Sequence, residues 1–361
     1  MRRAHAERSK RGEGGPRGHG AALYPWVYLD AWIAPLPTLR AVTVALALLL
    51  ATAAFAQAPM PAAKIQLVPF DITPFPYSGP VPDKGITFLD VVNGERRGHT
   101  SLRGGVYWED VTYSDKRVLL FIPRGFDIRR PALIVVYFHG NLATLTRDVR
   151  GRQQIPRQVE QSGLNAVLVA PQFAVDALDS SSGRFWEPGV FAKFLDEVVG
   201  KLTRLHGDER ARTVFERAPV VIAGYSGGYN PAAYALAVGG ANQHVHGVML
   251  FDGLFAEIDK FADWLAKRPT AFFFTAYGKA ARSEHAELQR MLTNRGVGFG
   301  TALPARLAPG SVTLLSVGDD VRHEDFMTRA WVADPLKAAL ARIPDFARTG
   351  PAPGGTSAKK R

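Results

Sequence analysis

Val220–Ala237 reads VVIAGYSGGYNPAAYALA. It begins as a β-branched apolar run, passes through a glycine-flanked turn that carries Ser226, and continues as an alanine-rich stretch with helical propensity. Gly224-Tyr225-Ser226-Gly227-Gly228 matches G-x-S-x-G. In a strand–turn–helix context this pattern has a mechanical reason. The serine occupies a tight turn, and the residues two before and two after it must lack bulk for strand and helix to pack. The following helix aims its first NH groups at the site, which favours a developing oxyanion. Pro231 is compatible, because the first turn of a helix has NH groups to spare. The alternative use of the same residues is a plain packing turn.

Working outward, apolar runs of the kind buried on both faces recur along the chain. They are ALIVVYFHG, NAVLVAPQF, PVVIAGYSG, VHGVMLFDG, TAFFFTAYG and SVTLLSVGDD. Upstream, GVYWEDVTY and KRVLLFIPRGF flank Ser114-Asp115 and predict a hairpin. Helical patterns fall between the strands. Val190, Phe191, Phe194, Leu195, Val198, Leu202 and Leu205 form one stripe. SEHAELQRMLTNRG ends at Gly296, a C-cap signal, and HEDFMTRAWVADPLKAALARI predicts a last helical region broken or kinked at Pro335. Parallel strands joined by helices wind right-handed and cover both faces of the sheet. The expectation is an α/β fold: a mostly parallel sheet of about eight strands, helices on both faces, and an antiparallel first strand pair.

In such sheets ligands bind at the carboxyl ends of the strands. His139-Gly140, Ser226 and Asp252 close strand-like runs, and His323 follows the last one. A serine hydroxyl needs a base to become a nucleophile. His323 is the best placed histidine; His99, His206, His244, His246 and His285 fall before strands, at helix ends or inside helical patterns. For the orienting acid, Asp252 follows the strand after the nucleophile, whereas Glu284 falls inside a helical pattern. Asp319 and Asp320 sit so close in sequence to His323 that capping suits them better. The backbone NH groups of Asn141 and Gly227 are expected to form an oxyanion hole, with Gly140 allowing close approach. His139 reads as a structural hydrogen-bonding residue.

Together these residues resemble the α/β-hydrolase family over roughly 106–343, in the chain order Ser226, Asp252, His323. VLLFIPRGFD followed by IVVYFHGN is similar to the opening of secreted esterases of that family. The resemblance implies an acyl-enzyme mechanism with no metal and no cofactor. His323 would deprotonate Ser226, and Asp252 would hold the imidazole. The family usually places its acid after the strand that here is TAFFFTAYG, where no carboxylate follows at once. The arrangement with the acid one strand earlier is the one that fits.

The chain has 361 residues, no cysteine and a formal net charge of +11. Absence of cysteine excludes disulfides, thiolate metal sites and a cysteine nucleophile. Residues 1–56 carry a surplus of four positive charges and the tail from Arg348 another four, leaving a body of +3. No zinc-finger spacing or basic helix beside an aromatic platform points to nucleic acid. AVTVALALLLATAAFA, Ala41–Ala56, follows Arg40 and ends in Ala-Phe-Ala. That is the pattern of a cleaved secretory signal, and it is short for a membrane span. The expectation is an exported, periplasmic or extracellular protein whose mature chain starts near Gln57, with no stable membrane span after cleavage. The segment before Arg40 is too long and mixed for a signal's charged end, so translation is expected to start nearer Leu36 or Leu39. Residues 57–83 hold seven prolines and read as an extended lead-in to 84. The hydrolase domain is expected at 85–347 and a disordered basic tail at 348–361.

Substrate-binding walls are expected from Tyr225, Tyr229 and Trp186, with Phe185 beside the last. The loop acids Asp176, Asp179 and Glu187 suggest a cationic or polyhydroxylated substrate. No long helical cap insertion lies between VMLFDG and TAFFFTAYG, where the spacing leaves room for one helix, which suggests a fairly open site. A small-molecule ester is the expected substrate. An amide or peptide, acyl transfer to an alcohol, and a non-catalytic binding protein of the same fold are the alternatives. Nothing in the sequence fixes an oligomeric state.

Overall fold

The computed structural model describes residues 61–349. The signal-like run, the segment before it and the end of the tail lie outside the described residues. Eight strands form one sheet: β1 (Lys64–Pro69), β5 (Arg117–Ile122), β6 (Leu133–Phe138), β7 (Ala166–Pro171), β8 (Val220–Tyr225), β9 (Val245–Phe251), β10 (Phe272–Tyr277) and β11 (Val312–Ser316). Their spatial order is β1-β5-β7-β6-β8-β9-β10-β11. β5 runs antiparallel to both of its neighbours, and the pairs from β7 to β11 are parallel. This is the expected sheet, mostly parallel with an antiparallel start.

The sheet has two cores because strand side chains alternate. Ile134, Val136, Phe138, Val220, Ile222, Val248 and Leu250 face one way. They meet helix Val190–His206 through Phe191, Phe194, Val198 and Leu202, and helix Ile258–Lys267 through Phe261 and Trp264. Leu133, Val135, Tyr137, Val221, Ala223 and Tyr225 face the other way. There they meet Val149, Ile155, Val159, Leu336 and Leu340. Strands buried on both faces read as unbroken apolar runs for this reason.

Three expectations change near the ends. The partner of β5 in the antiparallel pair is Lys64–Pro69, not GVYWEDVTY. The latter run contributes β4 (Val106–Trp108) and then a helical turn at Glu109–Thr112. With β2 (Val91–Asn93) and β3 (Arg96–Thr100), β4 makes a separate three-stranded antiparallel sheet. The proline-rich segment is not a mere lead-in: it supplies the edge strand, and its Phe70, Phe75 and Tyr77 are buried. Proline is compatible with an edge, which has no neighbour needing the missing NH. The domain therefore starts before residue 85. Pro335 does not break a long helix; it opens helix Pro335–Leu340 at a position where its missing NH costs nothing.

Candidate active site

Ser226 sits directly after β8, in the left-handed region at φ 51°. A non-glycine residue held there costs of the order of 1–3 kcal/mol and needs its surroundings to over-determine it. They do. A Cβ at Gly228 would overlap the carbonyl of Phe138, and one at Gly224 would press on the Gly228 carbonyl at 3.0 Å. The turn closes only because both positions are glycine. Gly140 abuts it from β6, where a Cβ would come within 2.7 Å of Ser226 Cβ.

Three residues from distant parts of the chain meet here. Ser226 Oγ lies 2.7 Å from His323 Nε2, and His323 Nδ1 lies 2.7 Å from Asp252 Oδ2. A carboxylate only accepts, so Nδ1 carries the proton and Nε2 accepts from the serine hydroxyl. Asp252 is buried, Ser226 is 6% exposed, and the His323 side chain is 42% exposed. The serine side is thus buried while the histidine reaches solvent. The second oxygen of Asp252 accepts from the Gly278 NH at 2.9 Å. Gly278 follows β10, so the end of the next strand braces the acid. Glu284 instead accepts from Ser283 within its own helix, and Asp319 pairs with Arg282. His285, buried, bonds Thr275 and the Ala281 carbonyl.

The loop after β6 is stapled from beneath. Phe173 NH donates to His139 Nε2 at 2.9 Å, which leaves Nδ1–H to donate to the Gly140 carbonyl at 2.8 Å. Burial lowers the imidazole's pKa and keeps it neutral for this task. Gln172 takes the Leu145 NH and gives to the Ala143 carbonyl. Arg147 spans the Leu142 carbonyl and Asp176, each at 2.6 Å. The Leu142 NH is taken by Ala177. Asn141 lies at the apex; its Oδ1 accepts from Ser180 Oγ at 3.0 Å and occupies the space a side chain at Gly227 would need. Asn141 and Gly227 are therefore neighbours flanking Ser226.

Of the expected walls, Tyr229 and Trp186 line a cleft of about 190 Å³, which also takes in Ser180, the partner of Asn141. Tyr225 does not. It belongs to the opposite sheet face, donates its hydroxyl to the His323 carbonyl at 3.0 Å and stacks on the His323 ring at 5.2 Å. Phe185 is buried in the aromatic core. The small sheet brings Ser101, Leu102 and Arg103 to the cleft. Ser101 Oγ bonds the Leu178 carbonyl at 2.5 Å, and the Leu178 NH bonds Tyr107 Oη at 3.1 Å. Sequence reasoning missed this wall and Phe255, whose ring lies 6.0 Å from that of His323.

The strand order, with Ser226, Asp252 and His323 following β8, β9 and β11, now decides the architecture. The domain has the α/β-hydrolase fold. Comparison with protein-family models and with curated proteins gives no match. Among solved structures, the chain is similar to a feruloyl esterase module from Clostridium thermocellum, at 13% identity over 76% of this chain and 97% of that one, with a TM-score of 0.39. It is also similar to an S-formylglutathione hydrolase from Agrobacterium tumefaciens, at 14% identity over 70% and 97%, with a TM-score of 0.40. A ferulic acid esterase gives 12% identity over 78% and 95%, with a TM-score of 0.42. All are distant likenesses. Among the described residues of this α/β-hydrolase domain, no helix is long and apolar enough to cross a membrane.

Proposed function

We propose that this chain is a serine hydrolase that cleaves carboxylic esters through an acyl-enzyme intermediate. The observation that carries the reading is the pair of 2.7 Å contacts linking Ser226, His323 and Asp252. Each group in that line has a task. His323 takes the hydroxyl proton as Ser226 attacks the ester carbonyl. Asp252 keeps the imidazole in the tautomer with Nδ1 protonated and stabilises the imidazolium. The oxyanion points to the NH groups of Asn141 and Gly227, each such donor being worth about 100- to 1000-fold in rate. His323 returns its proton to the departing alcohol. Water, activated by the same imidazole, then releases the acid and restores Ser226.

Export of the mature domain is part of the proposal and rests on Ala41–Ala56 alone. The intact mass of the protein recovered outside the cytoplasm should correspond to a chain beginning at Gln57.

The test of the activity is a panel of para-nitrophenyl esters and matched anilides. Hydrolysis of esters by the wild type, and none by Ser226→Ala, supports the reading. Cleavage of anilides at comparable rates would move it to an amidase, and turnover raised by added alcohol would move it to an acyltransferase.

A further inference from the structure

The charges around the cleft are unevenly satisfied. Every acid of the overhanging loop is engaged. Asp176 pairs with Arg147 at 2.6 Å. Asp179 accepts from Tyr113 Oη at 2.9 Å and from Ser181 Oγ at 2.8 Å. Glu187 lies 3.9 Å from Arg184. Asp176 and Glu187 are thus offset by arginines, whereas Asp179 keeps its charge beneath two hydroxyl donors. The two cations of the cleft, Lys84 and Arg103, have no carboxylate partner among the described residues.

Arg103 is also placed toward the reacting groups. Its guanidinium carbon sits 5.9 Å from the centre of the Phe255 ring. Phe255 in turn lies 6.0 Å from the ring of His323, and Tyr229 lies 6.1 Å from Phe255 on the cleft side. One aromatic ring therefore separates the free guanidinium from the histidine that contacts Ser226. A planar guanidinium over a ring retains in-plane NH donors for a carboxylate, which it grips with two parallel hydrogen bonds. Trp186 and Tyr229 provide apolar walls in the cleft that Arg103 also lines.

We infer that the ester cleaved at Ser226 carries a carboxylate, held by Arg103 with help from Lys84, across the Phe255 ring from His323. The inference rests on the serine-hydrolase reading. It makes Arg103 a specificity-determining residue and the substrate class an amphiphilic carboxylate ester. The carboxylate can stand on the acyl side or on the alcohol side.

The experiment uses two matched pairs. One is the para-nitrophenyl monoester of glutaric acid with its methyl-capped counterpart; the other is para-carboxyphenyl butyrate with para-carbamoylphenyl butyrate. For the wild type at low ionic strength, kcat/KM should favour the anionic member of one pair by about tenfold. The favoured pair identifies the side. Salt should erode the preference, because the cations are exposed. Arg103→Gln should bring the ratio close to one, and Lys84→Gln should lower it less. A ratio near one for both pairs in a wild type that hydrolyses the neutral esters would overturn the inference and leave the hydrolase reading intact. So would a preference that survives Arg103→Gln. If a folded wild type hydrolyses neither member and takes no fluorophosphonate label, the hydrolase reading fails and the inference falls with it.

Discussion

The turn bearing Ser226 and the wall facing it across the cleft are held in different ways. The turn is fixed by steric necessity and burial. Glycines let β6 and the following helix touch it, and His139 and Gln172 staple the neighbouring loop. The facing wall is a three-stranded sheet with Leu102 82% exposed, tied to the loop at Leu178 by two hydrogen bonds. Chemistry needs fixed positions, since a misplacement of about 1 Å can cost 100-fold in rate. Substrate choice needs only a surface of suitable shape and charge. On the proposed reading the first region serves reaction and the second selection.

The largest effect should come from breaking the fixed region. Ser226→Ala should lower kcat by at least about 10⁴-fold while the urea midpoint stays near that of the wild type. Asp252→Asn should cost nearly as much, because Asn cannot hold the required tautomer. Near-normal turnover in either variant would remove the distinction between the two regions.

The next test concerns the proline-rich segment. Phe75 is buried and packs against Phe88 at 5.6 Å and Tyr113 at 4.9 Å. Phe75→Ala should therefore destabilise the domain by about 3–5 kcal/mol, read from urea unfolding. A loss below about 1 kcal/mol would mean that the segment is the loose lead-in that its prolines suggest.

A third test uses pH. Burial pushes the His285 imidazole down to about 4 from an ordinary value near 6.5, and lowers that of His139 too. Above about 6.5, neither folded nor unfolded chain is protonated at these sites, so nothing is lost. Between there and about 4 the unfolded chain takes protons that the folded chain refuses. Stability should fall as pH falls, by about 2 kcal/mol from His285 alone near pH 5. His285→Gln should flatten that slope; an unchanged slope would contradict the assignment.

The smallest effect should come from Tyr225→Phe, which removes the hydroxyl from the His323 carbonyl. A net hydrogen bond of about 1 kcal/mol predicts a few-fold fall in kcat with KM little changed. A rise in KM alone would restore Tyr225 to the substrate wall.

Legibility in the sequence followed the same division. Strands buried on both faces announce themselves as apolar runs, and the turn at Ser226 announces itself through glycines that sterics demand. The order of serine, acid and histidine could be read because strand ends converge at one edge of a parallel sheet. Asp252 was harder, since its brace is the backbone NH of Gly278, which leaves no sequence signal. Tyr225 was misread as a wall because the residue before the turn still obeys strand alternation and points to the opposite face. The edge strand KIQLVP was hidden because it is mostly exposed and ends in proline. The buried aromatics after it stand singly among prolines, with no period to reveal them. Arg103 and Phe255 come from separate loops that only the fold brings together.

The most direct test of the account is covalent labelling of the mature protein with a fluorophosphonate, read by mass spectrometry of the labelled peptide. The wild type should carry the label on Ser226; Ser226→Ala should carry none, and His323→Ala should label far more slowly. A folded wild type that takes no label, or takes it on another serine, would contradict the claim that Ser226 is an activated nucleophile.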